Sequence, residues 1–276
     1  MTKLGLIAGG GGLPLALVAQ CLQSKRPFIV IRLKGFADAD LKAYEGGEVG
    51  LGEFQKCFDM LRAAGCKAVC LAGKVSRPDF SALKLDRRGV AVLPGALLAA
   101  RKGEDALLRY IVRQFEQEGF AVEGAHEVCD DLTLGRGALG RLTPQGDDLA
   151  DLAMGFQIAG EIGRLDIGQG AVVCRGLVLA VEAQEGTDAM LARCAALPRP
   201  LRGAPDDRKG VLVKRCKPRQ EQRIDLPTIG VETLEGAARA GLAGVVGEAG
   251  RTLIMDRAAV IEAADRLGLF VYGQDA

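Results

Sequence analysis

The amino-acid sequence predicts an α/β protein of two domains: an N-terminal domain with a Rossmann-like parallel sheet and a C-terminal domain of mixed α/β structure. In the first half, short apolar runs alternate with helical patterns, which is typical of parallel strands joined by helices. In the second half, two apolar runs are separated only by Arg175-Gly176, which indicates an antiparallel hairpin. The length of 276 residues accommodates two domains of ordinary size.

The first domain, residues 1–130, is predicted from a βαβ rhythm. Because consecutive βαβ units are almost always right-handed, its strands are expected to form one parallel sheet. The pattern predicts strands over 3–8, 28–33, 68–72 and 120–122, and helices over 13–23, 54–64, 93–100 and 104–118.

A linker, residues 131–147, is predicted next because it lacks helical or strand periodicity and carries four Gly and one Pro. Residues 148–276 then form the second domain, which we expect to be catalytic. The sequence predicts helices over 149–163, 187–195, 232–240 and 256–267, and strands over 171–174, 177–181, 211–213 and 269–272 and near 245 and 253.

The composition excludes several classes of protein. A net charge of +1 and an aromatic content of 4% give neither a global positive field nor many rings for base stacking, so we expect no nucleic-acid partner. The eight Cys form no C-x-x-C pair and mostly lie within apolar runs, which indicates buried thiols in a reducing compartment. No apolar run reaches the length of a membrane span, and we expect a cytoplasmic protein.

A glycine loop joins the first strand to the first helix. Its residues Gly10, Gly11 and Gly12 let a phosphate or a sugar approach the backbone and the helix N-terminus; a plain tight turn is the alternative. Pro14 stands where a dinucleotide fingerprint needs its last Gly, so a nicotinamide cofactor is not expected. Lys74, at the carboxyl end of the third strand, is either an anion contact or a solvated Lys.

The segment from Glu182 to Asp188 follows a strand and opens a helix. Thr187 and Asp188 are natural helix caps, and capping alone would explain them. A helix N-terminus beside acids can also bind a phosphate or a hydrated Mg²⁺. The chain has a single His, His126, and no G-x-S-x-G motif, so nucleophilic hydrolysis is disfavoured.

The stretch over 210–230 carries the strongest local signal for chemistry. An apolar strand over 211–213 is followed by five cations and by the acid Asp225, and Pro227 and Gly230 punctuate its end. One interpretation is a polyanion site with a carboxylate reserved for catalysis or metal binding, and the other is a solvated charged loop. The five cations are Lys214, Arg215, Lys217, Arg219 and Arg223.

Four motifs in order along the chain resemble a known family. They are GLIAGGGGLP, LAGKV, VEAQEGTDAML and KRCKPRQEQRIDLPTIG. This set resembles the UDP-2,3-diacylglucosamine pyrophosphatases of the LpxI type, and it is similar to alphaproteobacterial members.

The resemblance implies a Mg²⁺-dependent hydrolase of lipid A biosynthesis. Its implied reaction cleaves UDP-2,3-diacylglucosamine to 2,3-diacylglucosamine 1-phosphate (lipid X) and UMP, by attack on the β-phosphorus. The implied essential carboxylate is Asp225. The resemblance also implies peripheral contact with the inner membrane, and the predicted linker allows a homodimer.

The site residues follow from the resemblance together with the charges. The expected metal ligands are Asp225 and Asp188, with Glu182 and Glu185 as further carboxylates. The apolar helix over 93–100 lines an acyl-chain trough or is ordinary core. The expected substrate-binding residues are Gly10, Gly11, Gly12, Lys74, Thr187, Lys214, Arg215, Arg219 and Thr233. A non-catalytic nucleotide-sugar or lipid-binding protein and a Rossmann-type oxidoreductase are the competing hypotheses.

Overall fold

The computed structural model describes residues 1–76, 78–218 and 221–275. The chain divides into two compact units, residues 1–130 and 131–276. Both are α/β, the first with a parallel sheet and the second with a mixed one, which confirms the predicted fold class. Within the described residues no helix combines the length and hydropathy needed to cross a membrane.

The first unit contains a five-stranded sheet in the order β3-β2-β1-β4-β5. All four strand pairings are parallel. This order and direction are those of a Rossmann-like sheet. The elements are β1 (Leu4–Ala8), α1 (Gly12–Gln23), β2 (Phe28–Leu33), β3 (Gly46–Val49), α2 (Phe54–Ala63), β4 (Ala68–Ala72), α3 (Arg87–Ala100), α4 (Glu104–Gln117), β5 (Ala121–Val122) and α5 (Ala125–Val128).

The central strands follow directly from their apolar runs. All five residues of β1 are buried, and β1 pairs with β2 on one side and with β4 on the other. Helix α2 covers the sheet with Phe58, whose ring meets Phe115 of α4 edge-on with centroids 5.3 Å apart. Continuous apolar runs of this kind are typical of strands covered on both faces.

Strand β3 was not predicted, because its sequence, Gly-Gly-Glu-Val, offers no apolar run. It forms because Gly46 adopts φ 145° and lies close to the backbone of β2. A Cβ at Gly46 would be 1.9 Å from the Val30 carbonyl oxygen, so only glycine fits there.

The second unit contains a six-stranded sheet in the order β6-β13-β11-β9-β7-β8. Strands β9, β11 and β13 are parallel to one another, whereas β6 pairs antiparallel with β13, β7 with β9, and β8 with β7. The elements are β6 (Gly137–Ala138), α6 (Asp147–Arg164), β7 (Gly170–Cys174), β8 (Leu177–Val181), α7 (Gly186–Ala195), β9 (Val211–Lys214), β10 (Thr228–Ile229), α8 (Val231–Arg239), β11 (Gly244–Glu248), β12 (Leu253–Ile254), α9 (Arg257–Leu267) and β13 (Phe270–Gln274).

The hairpin between β7 and β8 turns at Arg175-Gly176, as predicted. Both residues have positive φ, 53° and 73°, which is the conformation of a type I′ turn. The buried carboxylate of Asp151 in α6 fixes the turn by accepting the Arg175 and Gly176 backbone N–H groups at 2.8 and 2.7 Å.

Residues 131–147, which we predicted as a linker, are grouped with the second unit. Leu134 is buried in that unit's core, and strand β6 pairs with β13. Two-residue strands have no recognisable periodicity, so the sequence alone did not reveal this pairing.

The two faces of the second sheet carry separate apolar clusters. Val211 and Val213 of β9 pack on the α6 side, with Phe156. Leu212 packs on the opposite side, with residues of α7, α8 and α9. Alternate residues of β9 therefore point to opposite faces.

All eight cysteines are buried and reduced, which confirms the prediction of buried thiols. Burial raises the pKa of the Cys57 thiol to about 12. Burial also raises the pKa of Cys70, in the centre of β4. Because the thiolate is the reactive form, these thiols have structural rather than catalytic roles.

Candidate active site

The carboxyl ends of β9, β11 and β13 meet at one edge of the second sheet. Lys214 ends β9 and Glu248 ends β11, and both are almost completely buried, at 5% and 1% exposure. Ligands of open α/β sheets bind at this edge of the parallel strands. The second unit's candidate site is therefore built around these strand ends.

The ammonium group of Lys214 lies on the face covered by α7, α8 and α9. Its Nζ donates to the Thr228 carbonyl oxygen of β10 at 2.8 Å. Lys214 also lies opposite Gly170 in the antiparallel pairing of β9 with β7. Directly opposed residues of such a pair project to the same face of the sheet.

Glu182 covers the bare backbone of Gly170. Its backbone N–H donates to the Gly170 carbonyl oxygen at 2.8 Å, which extends the pairing of β7 with β8. A Cβ at Gly170 would be 2.7 Å from Glu182 Oε2, so the missing side chain makes room for this carboxylate. Glu182, Gly170 and Lys214 thus form one row across three strands.

The carboxylate of Glu182 is only partly satisfied by hydrogen bonds. Thr187 in the first turn of α7 donates its hydroxyl to Oε1 at 2.7 Å. The other oxygen, Oε2, is buried and has no hydrogen-bond partner among the described residues. A buried carboxylate oxygen without a donor is costly, so it is suited to accept a bond from a bound ligand or metal.

Arg215 is on the other face of the sheet, next to Phe156 of α6. Its Nη1 donates to the Phe156 carbonyl oxygen at 3.1 Å, and its guanidinium carbon is 5.3 Å from the centre of the Phe156 ring. Lys214 and Arg215 were both predicted to bind substrate; as neighbours at the end of β9 they point to opposite faces of the sheet, so they would contact it from different sides.

Glu248 is a charged residue that the sequence analysis missed. Its Oε2 accepts the Cys216 backbone N–H at 3.2 Å, and its Oε1 accepts Arg251 Nη1 at 2.7 Å. The sequence signal that could have found Glu248 was an acid two residues after the apolar Val245-Val246, at the end of a buried parallel strand. Glu248 fixes the backbone just after Lys214.

Two other cations of the basic stretch have acidic partners. Lys217 Nζ is 2.8 Å from Asp166 Oδ1. Arg223 binds both carboxylate oxygens of Glu221, at 2.7 and 2.9 Å. Arg219 lies outside the described residues. Three cations in the described part of the stretch therefore contact residues other than Asp225: Arg215, Lys217 and Arg223.

Asp225 is half-buried in the loop between β9 and β10. Its backbone N–H donates to the Glu221 carbonyl oxygen at 3.0 Å. The chain then enters β10, which is held by parallel pairing with β12. Asp225 is three residues before Thr228, whose carbonyl oxygen accepts the hydrogen bond from Lys214. One short segment therefore carries both the Asp225 carboxylate and the carbonyl that holds the Lys214 ammonium.

Thr233 and Asp188 lie in the first turns of α8 and α7. The Thr233 hydroxyl is buried and accepts the Gly230 backbone N–H at 3.4 Å, so it caps α8. Asp188 is exposed. Its neighbour Glu185 instead pairs with Arg193. No group of three or more His, Cys, Asp or Glu side chains suitable for a metal occurs among the described residues.

In the first unit the glycine loop is packed against the end of β4. Gly10 and Lys74 exchange two backbone hydrogen bonds, of 3.0 and 2.7 Å. A Cβ at Gly10 would be 2.8 Å from the Phe36 carbonyl oxygen. Close backbone approach therefore explains this glycine, and the Lys74 side chain remains exposed.

A second acid missed by the sequence analysis, Asp38, occupies the N-terminus of α1. Its Oδ2 accepts the Gly11 backbone N–H at 2.8 Å. Gly11 has φ 87° and precedes Gly12, the first residue of the helix. Asp38 lies in a turn after β2, and no local pattern announced that it would reach the loop.

The variant Gly10→Ala is expected to lower stability. The new Cβ would overlap the Phe36 carbonyl, and forcing these loops apart costs about 1–3 kcal/mol. Thermal unfolding of purified protein measures the effect. Gly50→Ala is the matched control, because its Cβ would meet only the Glu53 side chain, at 3.4 Å. Equal unfolding temperatures for the two variants would contradict the close approach.

Comparison with known proteins agrees with this two-unit architecture. The LpxI N-terminal domain model matches residues 3–132, and the LpxI C-terminal domain model matches residues 135–272. The chain is also similar to "UDP-2,3-diacylglucosamine pyrophosphatase LpxI" of Caulobacter vibrioides, with 62% identity over 275 residues, covering 100% of this chain and 98% of that relative. Matches to both domain models and this full-length similarity identify the family: the chain belongs to the LpxI family.

Proposed function

We propose that the protein hydrolyses the pyrophosphate bond of UDP-2,3-diacylglucosamine in a Mg²⁺-dependent reaction, producing lipid X and UMP for lipid A biosynthesis. The observation that carries this proposal is the end-to-end similarity to a pyrophosphatase named for that substrate. The buried ammonium of Lys214 at the end of β9 suits an anionic group of the substrate and also supports the proposal.

Lys214 is the cation that we assign to the pyrophosphate. A buried ammonium interacts with a phosphate oxygen more strongly than an exposed one, because little water screens the charge. Its bond to the Thr228 carbonyl holds the ammonium in one position before the substrate arrives. Preorganised charge of this kind stabilises the additional negative charge of the transition state.

Asp225 is the proposed base and metal ligand. The oxygen of a water molecule forms a bond to one phosphorus while the bridging P–O bond breaks, and the proton released by the water passes to the Asp225 carboxylate. The leaving phosphate keeps the bridging electron pair. Attack at the β-phosphorus leaves the water oxygen in lipid X, and attack at the α-phosphorus leaves it in UMP.

The acidic residues fit Mg²⁺ only as a partial set of ligands. Mg²⁺ commonly binds one or two carboxylates together with substrate phosphates, and the unsatisfied Glu182 Oε2 is suited to such a role. We assign Asp225 and Asp188 as ligands and Glu182 as a further carboxylate. When bound, the ion neutralises phosphate charge as a Lewis acid.

Each unit has further residues that we assign to substrate binding. In the first unit these are the backbone of Gly10–Gly12, for the nucleoside or the sugar, and the Lys74 side chain, for a phosphate. In the second unit they are Arg215, Arg219 and Thr233. Thr187 acts through Glu182, because its hydroxyl is donated to that carboxylate. Peripheral contact with the inner membrane and a homodimer complete the proposal.

Incubation of the purified protein with UDP-2,3-diacylglucosamine in H₂¹⁸O tests the reaction. We expect UMP release that stops when EDTA removes Mg²⁺ and resumes when Mg²⁺ is restored, with ¹⁸O in lipid X. Saturable substrate binding without UMP release would favour the non-catalytic binding protein, and turnover unaffected by EDTA would remove the metal from the proposal.

A further inference from the structure

Helix α3 has apolar side chains on both its buried and its exposed face. Val92, Ala96 and Ala100 are buried toward the rest of the first unit. On the other side, Val90 and Leu98 are 59% and 61% exposed. Together with Ala91, Pro94 and Leu97, which are also exposed, they form a continuous apolar strip, here called the α3 strip.

Arginines lie at both ends of the α3 strip. Arg87 precedes Val90 by three residues and Arg101 follows Leu98 by three, so helical spacing places them on the same face as the strip. Both are exposed, as are the neighbouring Lys102 and, before the helix, Lys84. An apolar strip ended by cations is typical of a helix lying in a membrane interface.

The acid nearest to the start of α3 does not neutralise these cations. Asp86 accepts the Gly89 backbone N–H at 2.8 Å and the Lys56 backbone N–H at 3.0 Å, so it caps the helix. Arg88, on a different face, pairs with Glu118 at 2.9 Å. Across the described ranges, neither Arg87 nor Arg101 has an ion-pair partner.

We propose that the α3 strip docks on an anionic lipid bilayer. Val90, Leu97 and Leu98 insert at the level of the acyl chains, and Arg87 and Arg101 contact the phosphates of the headgroups. This inference rests on the membrane contact in the proposed function and assigns that contact to one face of one helix. It requires neither hydrolysis nor bound Mg²⁺.

Charge distinguishes this occupant from a second copy of the chain. In a symmetric antiparallel pairing of two α3 helices, Arg87 of each copy would lie near Arg101 of the other. Two arginines would then face each other at each end of the paired strips, with no acid of the strip between them. An anionic bilayer instead supplies counter-charge along the whole strip, and each basic residue near it strengthens binding.

Co-sedimentation of the full-length protein with phosphatidylglycerol–phosphatidylcholine vesicles tests the proposal. We expect binding that weakens in phosphatidylcholine alone and at high salt. Leu98→Glu is expected to reduce binding about tenfold or more, because it removes an inserted leucine and adds a charge. Arg87→Gln combined with Arg101→Gln is expected to remove most of the salt dependence.

Leu22→Glu is the matched control, because Leu22 is also a helical residue of the first unit and is 56% exposed. It should bind vesicles like the unsubstituted protein, and circular dichroism should show that all variants are folded. Equal vesicle binding by Leu98→Glu and Leu22→Glu would overturn the proposal. So would a dimer in light scattering that Leu98→Glu dissociates without affecting vesicle binding.

UMP release is measured separately from vesicle binding, so that the two proposals can fail independently. With substrate dispersed in detergent, the variant that combines Arg87→Gln with Arg101→Gln should release UMP at the rate of the unsubstituted protein. Absence of UMP release by both proteins would reject the proposed function while leaving the vesicle result interpretable.

Discussion

The Asp225→Asn variant is expected to lose about 10²–10⁴-fold in the rate of UMP release, the contribution typical of a positioned base. Asparagine has nearly the same shape but accepts no proton and is a weaker ligand for Mg²⁺. Substrate binding should be retained, because the proposed cation Lys214 is unchanged. Single-turnover UMP release, with substrate affinity measured by calorimetry, separates these two effects.

Asp206→Asn is the matched control, since Asp206 is an exposed acid of the same unit outside the candidate site. It should hydrolyse substrate at the unsubstituted rate. If Asp225→Asn also kept that rate, Asp225 would be neither base nor ligand. If Asp225→Asn lost binding and turnover equally, its role would be in holding the substrate.

Replacing Lys214 by Met is expected to reduce turnover about 10²–10³-fold, the effect of removing one preorganised donor to a developing charge. Methionine keeps most of the apolar stem but removes the ammonium. The Thr228 carbonyl also loses its donor, which costs about 1–3 kcal/mol of stability if no water replaces it. Activity should therefore be compared at a temperature well below the unfolding transition of the variant.

Lys217→Met provides the comparison for Lys214→Met. Lys217 belongs to the same basic stretch, but its ammonium pairs with Asp166 at 2.8 Å. The Lys217 variant should retain turnover within about threefold, since the Lys217 ammonium pairs with Asp166 and is not assigned to the substrate. Equal losses in the two variants would indicate a general effect of positive charge and would remove the special role of Lys214.

The elements that the sequence predicted well are those encoded by short-range pattern. Apolar runs identified β1, β2 and β4, and the turn residues Arg175-Gly176 identified the hairpin. Strand β3 has no such pattern, because it depends on Gly46 lying against β2. Its presence is decided by a neighbouring strand rather than by its own residues.

The candidate site could be predicted only in part, for the same physical reason. The sequence identified Lys214 and Asp225 as candidates, since basic and acidic residues are visible in any stretch, and their roles stay predictions. It did not place Lys214 and Arg215 on opposite faces, because the predicted strand ended at Val213, whereas β9 continues to Lys214. Glu248 and Asp38 reach their partners from 32 and 27 residues away, which no local pattern encodes.

The carboxylate of Asp38 at the N-terminus of α1 disfavours a second anion at the Gly11 N–H. A phosphate arriving at the Gly11 N–H would have to expel Asp38 or lie beside it, so one anion would merely replace another. A sugar hydroxyl can instead donate to Asp38 and leave the bond to Gly11 intact. The substrate contact proposed for this loop is therefore expected with an uncharged part of a nucleotide sugar rather than with its phosphates, because only a phosphate would have to displace a carboxylate.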